Sequence, residues 1–255
     1  MAIIGISGSI GAGKDTLGKV IQFARFAQRY GQTVDDIDRY INDPDTMKRV
    51  QSESGWFIKK FADKLKEIAS LLLGVPRERF EDQEFKNSTL GTEWDVEEDV
   101  LKGIKPFEHV IGSVRKQTTV REFLQKLGTE GLRDGLHTNV WVNALMADYK
   151  YQNTIIEDVL NRGLREGDKD WQVGIMPNWI ITDVRFPNEA QAIKDKGGSM
   201  IRLDRIMNPF PKNDHESETA LNDWKFDGKF AVGEGYEGLL LAAKQILQHE
   251  ALGNK

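Results

Sequence analysis

The run Gly8-Ser9-Ile10-Gly11-Ala12-Gly13-Lys14-Asp15-Thr16 has the spacing G-x-x-x-x-G-K. Glycines at this spacing let the backbone turn until successive N–H groups point inward at phosphate oxygens, and Lys14 is placed to reach the β and γ phosphates. An apolar run, Ala2-Ile3-Ile4-Gly5-Ile6-Ser7, leads directly into the loop, and an apolar periodic segment leaves it. A strand before and a helix after are the context the motif requires, and the positive end of the helix dipole adds to the same anion. The expectation is a bound nucleoside triphosphate, with Gly11, Gly13, Lys14 and Thr16 around its phosphates.

The residue after the lysine is commonly Ser or Thr, whose hydroxyl holds Mg²⁺. Here it is Asp15, with Thr16 one place later. Asp15 can hold the ion directly or through water, since Mg²⁺ keeps several waters and accepts carboxylates. Thr16 can bond a phosphate instead. The plainer alternative is that Asp15 only favours the first helical turn through the dipole.

A second group of candidates follows a later apolar run. Asn178-Trp179-Ile180-Ile181-Thr182 reads as a buried strand ending at Asp183-Val184-Arg185-Phe186-Pro187-Asn188-Glu189. Ligands of parallel sheets bind at the carboxyl ends of strands, which puts Asp183 in a metal environment and points Arg185 into the same cleft. Otherwise Asp183 caps the next helix and Arg185 forms a surface ion pair. In the segment from Arg121 to Glu130, Arg121 and Gln125 share a helix face before Gly128-Thr129 interrupts the pattern. Glycine inside a helix costs roughly 1 kcal/mol relative to alanine, so Gly128 implies close approach of a ligand or another backbone.

Several elements must position these residues. Periodicity predicts a helix over 15–28, a strand-like entry at Phe57 and a helix ending at Gly74, a helix over 118–136, and another opening near Asn139 and continuing toward Leu160. After the strand at 178–182 come a helix over 189–196, a strand over 199–203, a short strand near Phe230 and a closing helix over 236–249. Alternation of this kind implies parallel strands with helical crossovers. The expected fold is α/β, a single domain over 1–255. Its core comprises about 1–31, 56–75 and 178–255, with insertions at about 32–55 and 77–170. Residues 32–55 read as lying on the core rather than in it, and the acids between Glu93 and Asp99 as a solvated face.

Composition narrows the class. The 255 residues include no cysteine, which removes disulfides, thiolate metal sites and a cysteine nucleophile, and suits a reducing cytoplasm. Lys plus Arg is 35 against 40 Asp plus Glu, a net charge of -5 that disfavours nucleic acid as a partner. The apolar stretches 68–75 and 239–243 are too short to span a membrane, and the N-terminal run lacks the basic flank of a signal peptide.

Five segments in order carry a resemblance: the loop with its Gly-Lys-Asp-Thr ending, Phe61-Ala62-Asp63-Lys64-Leu65-Lys66, Arg121 to Thr129 followed by Trp141-Val142, Thr182 to Glu189, and His215-Glu216-Ser217-Glu218. Together they resemble the deoxynucleoside monophosphate kinases of tailed bacteriophages. The resemblance implies a P-loop kinase core with a helical monophosphate-binding insertion and a lid at about 204–224. It implies ATP and Mg²⁺ as cofactors and phosphoryl transfer to a deoxynucleoside 5′-monophosphate, with a homodimer as an open state of assembly. Gly13, Lys14, Asp15 and Thr16 would hold the ATP phosphates and metal, and Lys66, Arg121, Gly128, Thr129, Trp141, Asp183, Arg185 and Glu189 the monophosphate side. Trp141 would stack on a base or serve the core. Lys14, Arg121, Asp183 and Arg185 would carry the catalysis. Arg202 and Arg205 flank the lid as candidates to close on ATP, and His215 lies within it. Another small-molecule kinase, such as a dephospho-coenzyme A kinase, shares the loop and strand pattern. A regulatory NTPase predicts a basic stripe and a water-positioning residue, and neither stands out.

Overall fold

Ile3, Ile4 and Ile6 are almost wholly inaccessible, as a strand covered on both faces requires. In the computed structural model, residues 2–33, 37–102, 109–150, 152–153, 174–206 and 219–253 are described. In chain order they form β1 (Ile3–Ser7), α1 (Lys14–Tyr30), α2 (Ile37–Ile41), α3 (Pro44–Glu53), β2 (Trp56–Lys59) and α4 (Ala62–Leu73). Next come a 3₁₀ turn (Arg77–Glu81), α5 (Gln83–Asn87), a second 3₁₀ turn (Thr92–Trp94), β3 (Val96–Lys102), β4 (His109–Lys116) and α6 (Val120–Gln125). A π-helical stretch (Lys126–Asp134), α7 (Val140–Met146), β5 (Gln152–Asn153) and β6 (Gly174–Ile175) lead to β7 (Asn178–Ile181). The chain then forms α8 (Pro187–Asp195), β8 (Ser199–Arg205), β9 (Gly228–Val232) and α9 (Glu237–Gly253). These residues divide into two compact units, Met1–Phe61 with Val142–Lys255, and Ala62–Trp141.

The first unit is built on a five-stranded sheet in the order β2-β7-β1-β8-β9, with every pairing parallel. The chain leaves β1 for one side of the sheet and later returns on the other, so β1 stands where the strand order reverses. In open α/β sheets that reversal is the place where ligands bind, outside the carboxyl ends of the strands. The parallel α/β expectation is met. The predicted strands at 178 and 199 and the helices opening at 15, 189 and 236 are present with ends shifted by a few residues.

Residues 32–55 differ from expectation. Ile37, Ile41, Met47 and Val50 lie in the same buried cluster as Phe23, Phe26 and Ala27 of α1, and the Tyr40 ring stacks on Phe23 at 5.1 Å. Apolar residues four apart in α2 and three apart in α3 give each short helix one buried stripe, and in α3 the polar majority faces outward. Asp43 fixes the start of α3, its carboxylate accepting from the Thr46 N–H at 3.0 Å with Pro44 just inside.

The second unit has its own small core of Ala69, Phe80 and Val120, with Leu73, Phe85 and Phe123 packed around it. α4, expected within the main core, belongs to this unit. Where 77–112 was expected to be irregular, β3 and β4 form an antiparallel pair, and the Asp95 side chain beside it is only 5% exposed. Charge masks the strand alternation there, and the pairing partner lies up to twenty residues away. The single helix expected over 118–136 is α6 followed by the π-helical stretch, with Gly135 N–H reaching back five residues to the Glu130 carbonyl at 3.0 Å. α7 ends at Met146 rather than running on, and turns and β5 follow. The remainder of that predicted helix toward Leu160, most of the lid expected at 204–224, and His215 lie outside the described residues.

Candidate functional site

The glycine loop joins β1 to α1 at the strand-order reversal. At Gly8 a β-carbon would stand 2.1 Å from the Leu203 carbonyl oxygen, so glycine is what lets the end of β1 run against β8. Gly13 caps α1 at φ 91°, in the left-handed region that glycine enters without steric cost. The Lys14 ammonium donates to the carbonyls of Gly8 at 2.7 Å and Ser9 at 2.9 Å, and so is held inside its own loop. Arg205, at the end of β8, lies over the same loop. Its Nε stands 3.5 Å from the Gly11 carbonyl, it donates to the Gly233 carbonyl, and its Nη2 would be 3.1 Å from a β-carbon at Gly13.

Asp15 sits in the first turn of α1 between two neighbouring strand ends. One carboxylate oxygen accepts from the Lys60 ammonium at 2.8 Å and the other from the Thr182 hydroxyl. Partial desolvation would raise its pKa, but the hydrogen bonds from Lys60 and Thr182, with the charges of Lys60 and Lys14, outweigh that and hold it below the usual aspartate value. Asp183 accepts from the Phe61 N–H at 2.9 Å. It therefore ties the end of β7 to the segment that follows β2. Thr16 is half-buried in the first turn of α1, and Arg202 is turned along its own strand to Asp204 at 3.0 Å.

Glu189 is drawn into the start of α8. It is 8% exposed, and one carboxylate oxygen accepts from the backbone N–H groups of Arg185 at 2.7 Å and Phe186 at 3.1 Å. This is a cap on α8 that fixes the backbone carrying Arg185, whose own side chain is exposed.

The remaining predicted residues belong to the second unit. Lys66 donates to Glu81 at 2.7 Å, and Arg77 clasps Asp63 and the same Glu81. Arg121 donates to Asn87 at 3.1 Å and Gln83 at 3.2 Å, which holds an exposed guanidinium against α5. Thr129 is exposed. The close neighbour of Gly128 is the Leu65 side chain, whose Cδ2 would be 2.8 Å from a β-carbon. The Gly128 carbonyl accepts from the Trp141 indole N–H at 3.0 Å, which fixes the half-buried ring.

Sequence reasoning missed Lys60 and Thr182 as partners of Asp15. Lys60 lies between a short apolar segment and the run at 61–66 and belongs to no motif itself, and only the parallel register of β2 on β7, with Lys59 opposite Ile181, sets it beside Thr182. For a metal, the oxygens of Asp15, Thr16 and Asp183 are hard donors of the kind Mg²⁺ takes. Among the described residues no three His, Cys, Asp or Glu side chains converge. A site completed by waters and phosphate oxygens, the usual arrangement for Mg²⁺, fits that donor set.

The fold and site define an α/β protein with a parallel five-stranded sheet and charged side chains gathered at the strand ends around a glycine loop. No protein-family model matches the chain. It is similar to the uncharacterized protein ORF77 of Ictalurid herpesvirus 1 (strain Auburn), 33% identical over 107 residues, which is 41% of this chain. The chain spans 38% of the length of that relative. Among the described residues no helix is long and apolar enough to cross a membrane.

Proposed function

We propose that this chain is a kinase that transfers the γ-phosphoryl group of ATP to deoxynucleoside 5′-monophosphates, giving a deoxynucleoside diphosphate and ADP. The observation that carries the reading is Lys14. Its ammonium is held in a glycine loop at the start of a seventeen-residue helix, where the strand order reverses and Asp15 and Arg205 converge. Main-chain N–H groups of the loop and the helix N-terminus receive the ATP phosphates. Lys14 exchanges two carbonyls for phosphate oxygens, and Arg205 adds positive charge from the edge of the loop.

Asp15, Thr16 and Asp183 supply the oxygens that would hold Mg²⁺. When bound, the ion neutralises charge on the β and γ phosphates. An oxygen of the acceptor phosphate attacks the γ phosphorus while the bond to the β–γ bridging oxygen breaks and ADP leaves. Phosphoryl transfer asks little covalent chemistry of the protein and much positioning, which is why cations rather than a nucleophile matter here. Arg185, on a backbone fixed by Glu189, supplies a cation for the acceptor phosphate from the first unit. The proposal sets the protein in a cytoplasm with small-molecule substrates, and it requires neither nucleic acid nor membrane.

The test is ADP release with Mg²⁺ and ATP, alone and with each of four deoxynucleoside monophosphates, the four ribonucleotides and dephospho-coenzyme A. Release that depends on a deoxynucleotide, and is slower with each matching ribonucleotide, is expected. Release dependent on dephospho-coenzyme A, or equal with no acceptor, overturns the reading in favour of another small-molecule kinase or a regulatory NTPase.

A further inference from the structure

Neither the loop motif nor the resemblance assigns a role to Lys60. It stands one residue past β2, with a side chain 22% exposed and its ammonium 2.8 Å from Asp15 Oδ2. The other oxygen of Asp15 accepts from the Thr182 hydroxyl. Asp15 occupies the position where the loop's metal-binding hydroxyl commonly stands. Mg²⁺ demands close, near-octahedral oxygen ligands, and an ammonium and a divalent ion drawn to the same carboxylate oxygen repel each other, so each weakens the other's hold on it. Thr182 is neutral and can stay, keeping the carboxylate oriented while its second oxygen changes partner.

We propose that Lys60 is a built-in competitor for the metal: its ammonium holds the Asp15 carboxylate in the nucleotide-free protein and is exchanged for Mg²⁺ when the metal and nucleotide enter. This rests on the reading of the glycine loop as a nucleotide site. The exchange keeps Asp15 ionised and aimed when no metal is present, at the expense of metal affinity. Lys60 is therefore a positioning residue that acts through Asp15, and its removal tightens metal binding. A merely structural lysine would weaken binding or leave it unchanged.

The experiment measures Mn²⁺ binding in the presence of saturating ADP, from the electron paramagnetic resonance signal of the free ion. It compares the wild-type chain with Lys60→Gln, Lys60→Met and Lys60→Arg, using circular dichroism to establish folding. The two neutral variants are read together so that a folding defect in one does not decide the matter. The expected result is Mn²⁺ binding at least threefold tighter in the neutral variants, near wild type in Lys60→Arg, with the gap narrowing at high salt as the pair is screened. In an Asp15→Asn background, Lys60→Gln should have no effect. Equal or weaker Mn²⁺ binding in folded neutral variants, or a gain that survives Asp15→Asn, overturns the exchange and leaves the nucleotide reading standing. Failure of the wild-type chain to bind ADP overturns both.

Discussion

Lys14 donates to carbonyls of its own loop, so removing it should leave the sheet undisturbed. Under the proposed reading, Lys14→Ala keeps the far-ultraviolet circular dichroism of the parent and lowers turnover by about a thousandfold, the scale on which single cationic groups act in phosphoryl transfer. A steady-state ADP assay on the folded variant measures it, and more than a tenth of wild-type activity would reject the role. Asp15 gives a pH signature. Its carboxyl titrates below its unfolded value of 3.8, so its contribution to stability is complete above that value and lost as pH falls through the folded value. The side chain is 59% exposed, which screens the ion pair and limits the contribution to about 1 kcal/mol or less. Asp15→Asn should therefore be slightly less stable than wild type at pH 7, and the two denaturation curves should draw together between about pH 5 and pH 2.

At the scale of the element, the start of α8 depends on one carboxylate. Glu189 accepts from two backbone N–H groups and is buried, so Glu189→Ala leaves donors without their partner at the helix start. A loss of about 1–3 kcal/mol in chemical denaturation is expected. Because that carboxylate also fixes the backbone of Arg185, the variant should raise the KM for the acceptor more than that for ATP. Equal effects on both substrates would separate α8 from the acceptor side. α6 is started differently: Thr119 accepts from the Glu122 N–H while the Glu122 carboxylate accepts from the Thr119 N–H, a reciprocal pair readable as T-x-x-E in the chain.

For the whole molecule, the division into two units sets how stability is distributed. The first unit buries an extended cluster running from β1 through α1 to α9, whereas the second centres on Ala69, Phe80 and Val120. Phe80 is fully buried, and Phe80→Ala should cost about 3–5 kcal/mol within its unit. Hydrogen exchange should then quicken across residues 62–141 while the amides of β1 and β7 keep their protection, since proteins open in cooperative sub-regions. Uniform loss of protection over the whole chain would mean that the two units unfold as one.

The glycine loop and its flanking strand and helix, the strand ending at Ile181 and the parallel α/β alternation were legible in the residues themselves. Loop glycines, apolar runs and helix stops are local signals, set by backbone sterics and burial within a few residues. Gly13 at positive φ and Gly31 closing α1 are read directly from that chemistry. What required tertiary structure was every relation between distant segments. The polar stretch 32–55 contributes to the core because two short stripes meet α1. Val96 to Lys102 join a hairpin because a partner strand supplies the ladder. The partners of Asp15 come from chain positions 45 and 167 residues away, brought together only by the order β2-β7-β1. Glu189 and Gly128 drew functional expectations from their positions in motifs, and only packing shows the first accepting at a helix start and the second set against Leu65. A side chain's type limits the bonds it can make, and the register of strands far apart in sequence decides which of those bonds form.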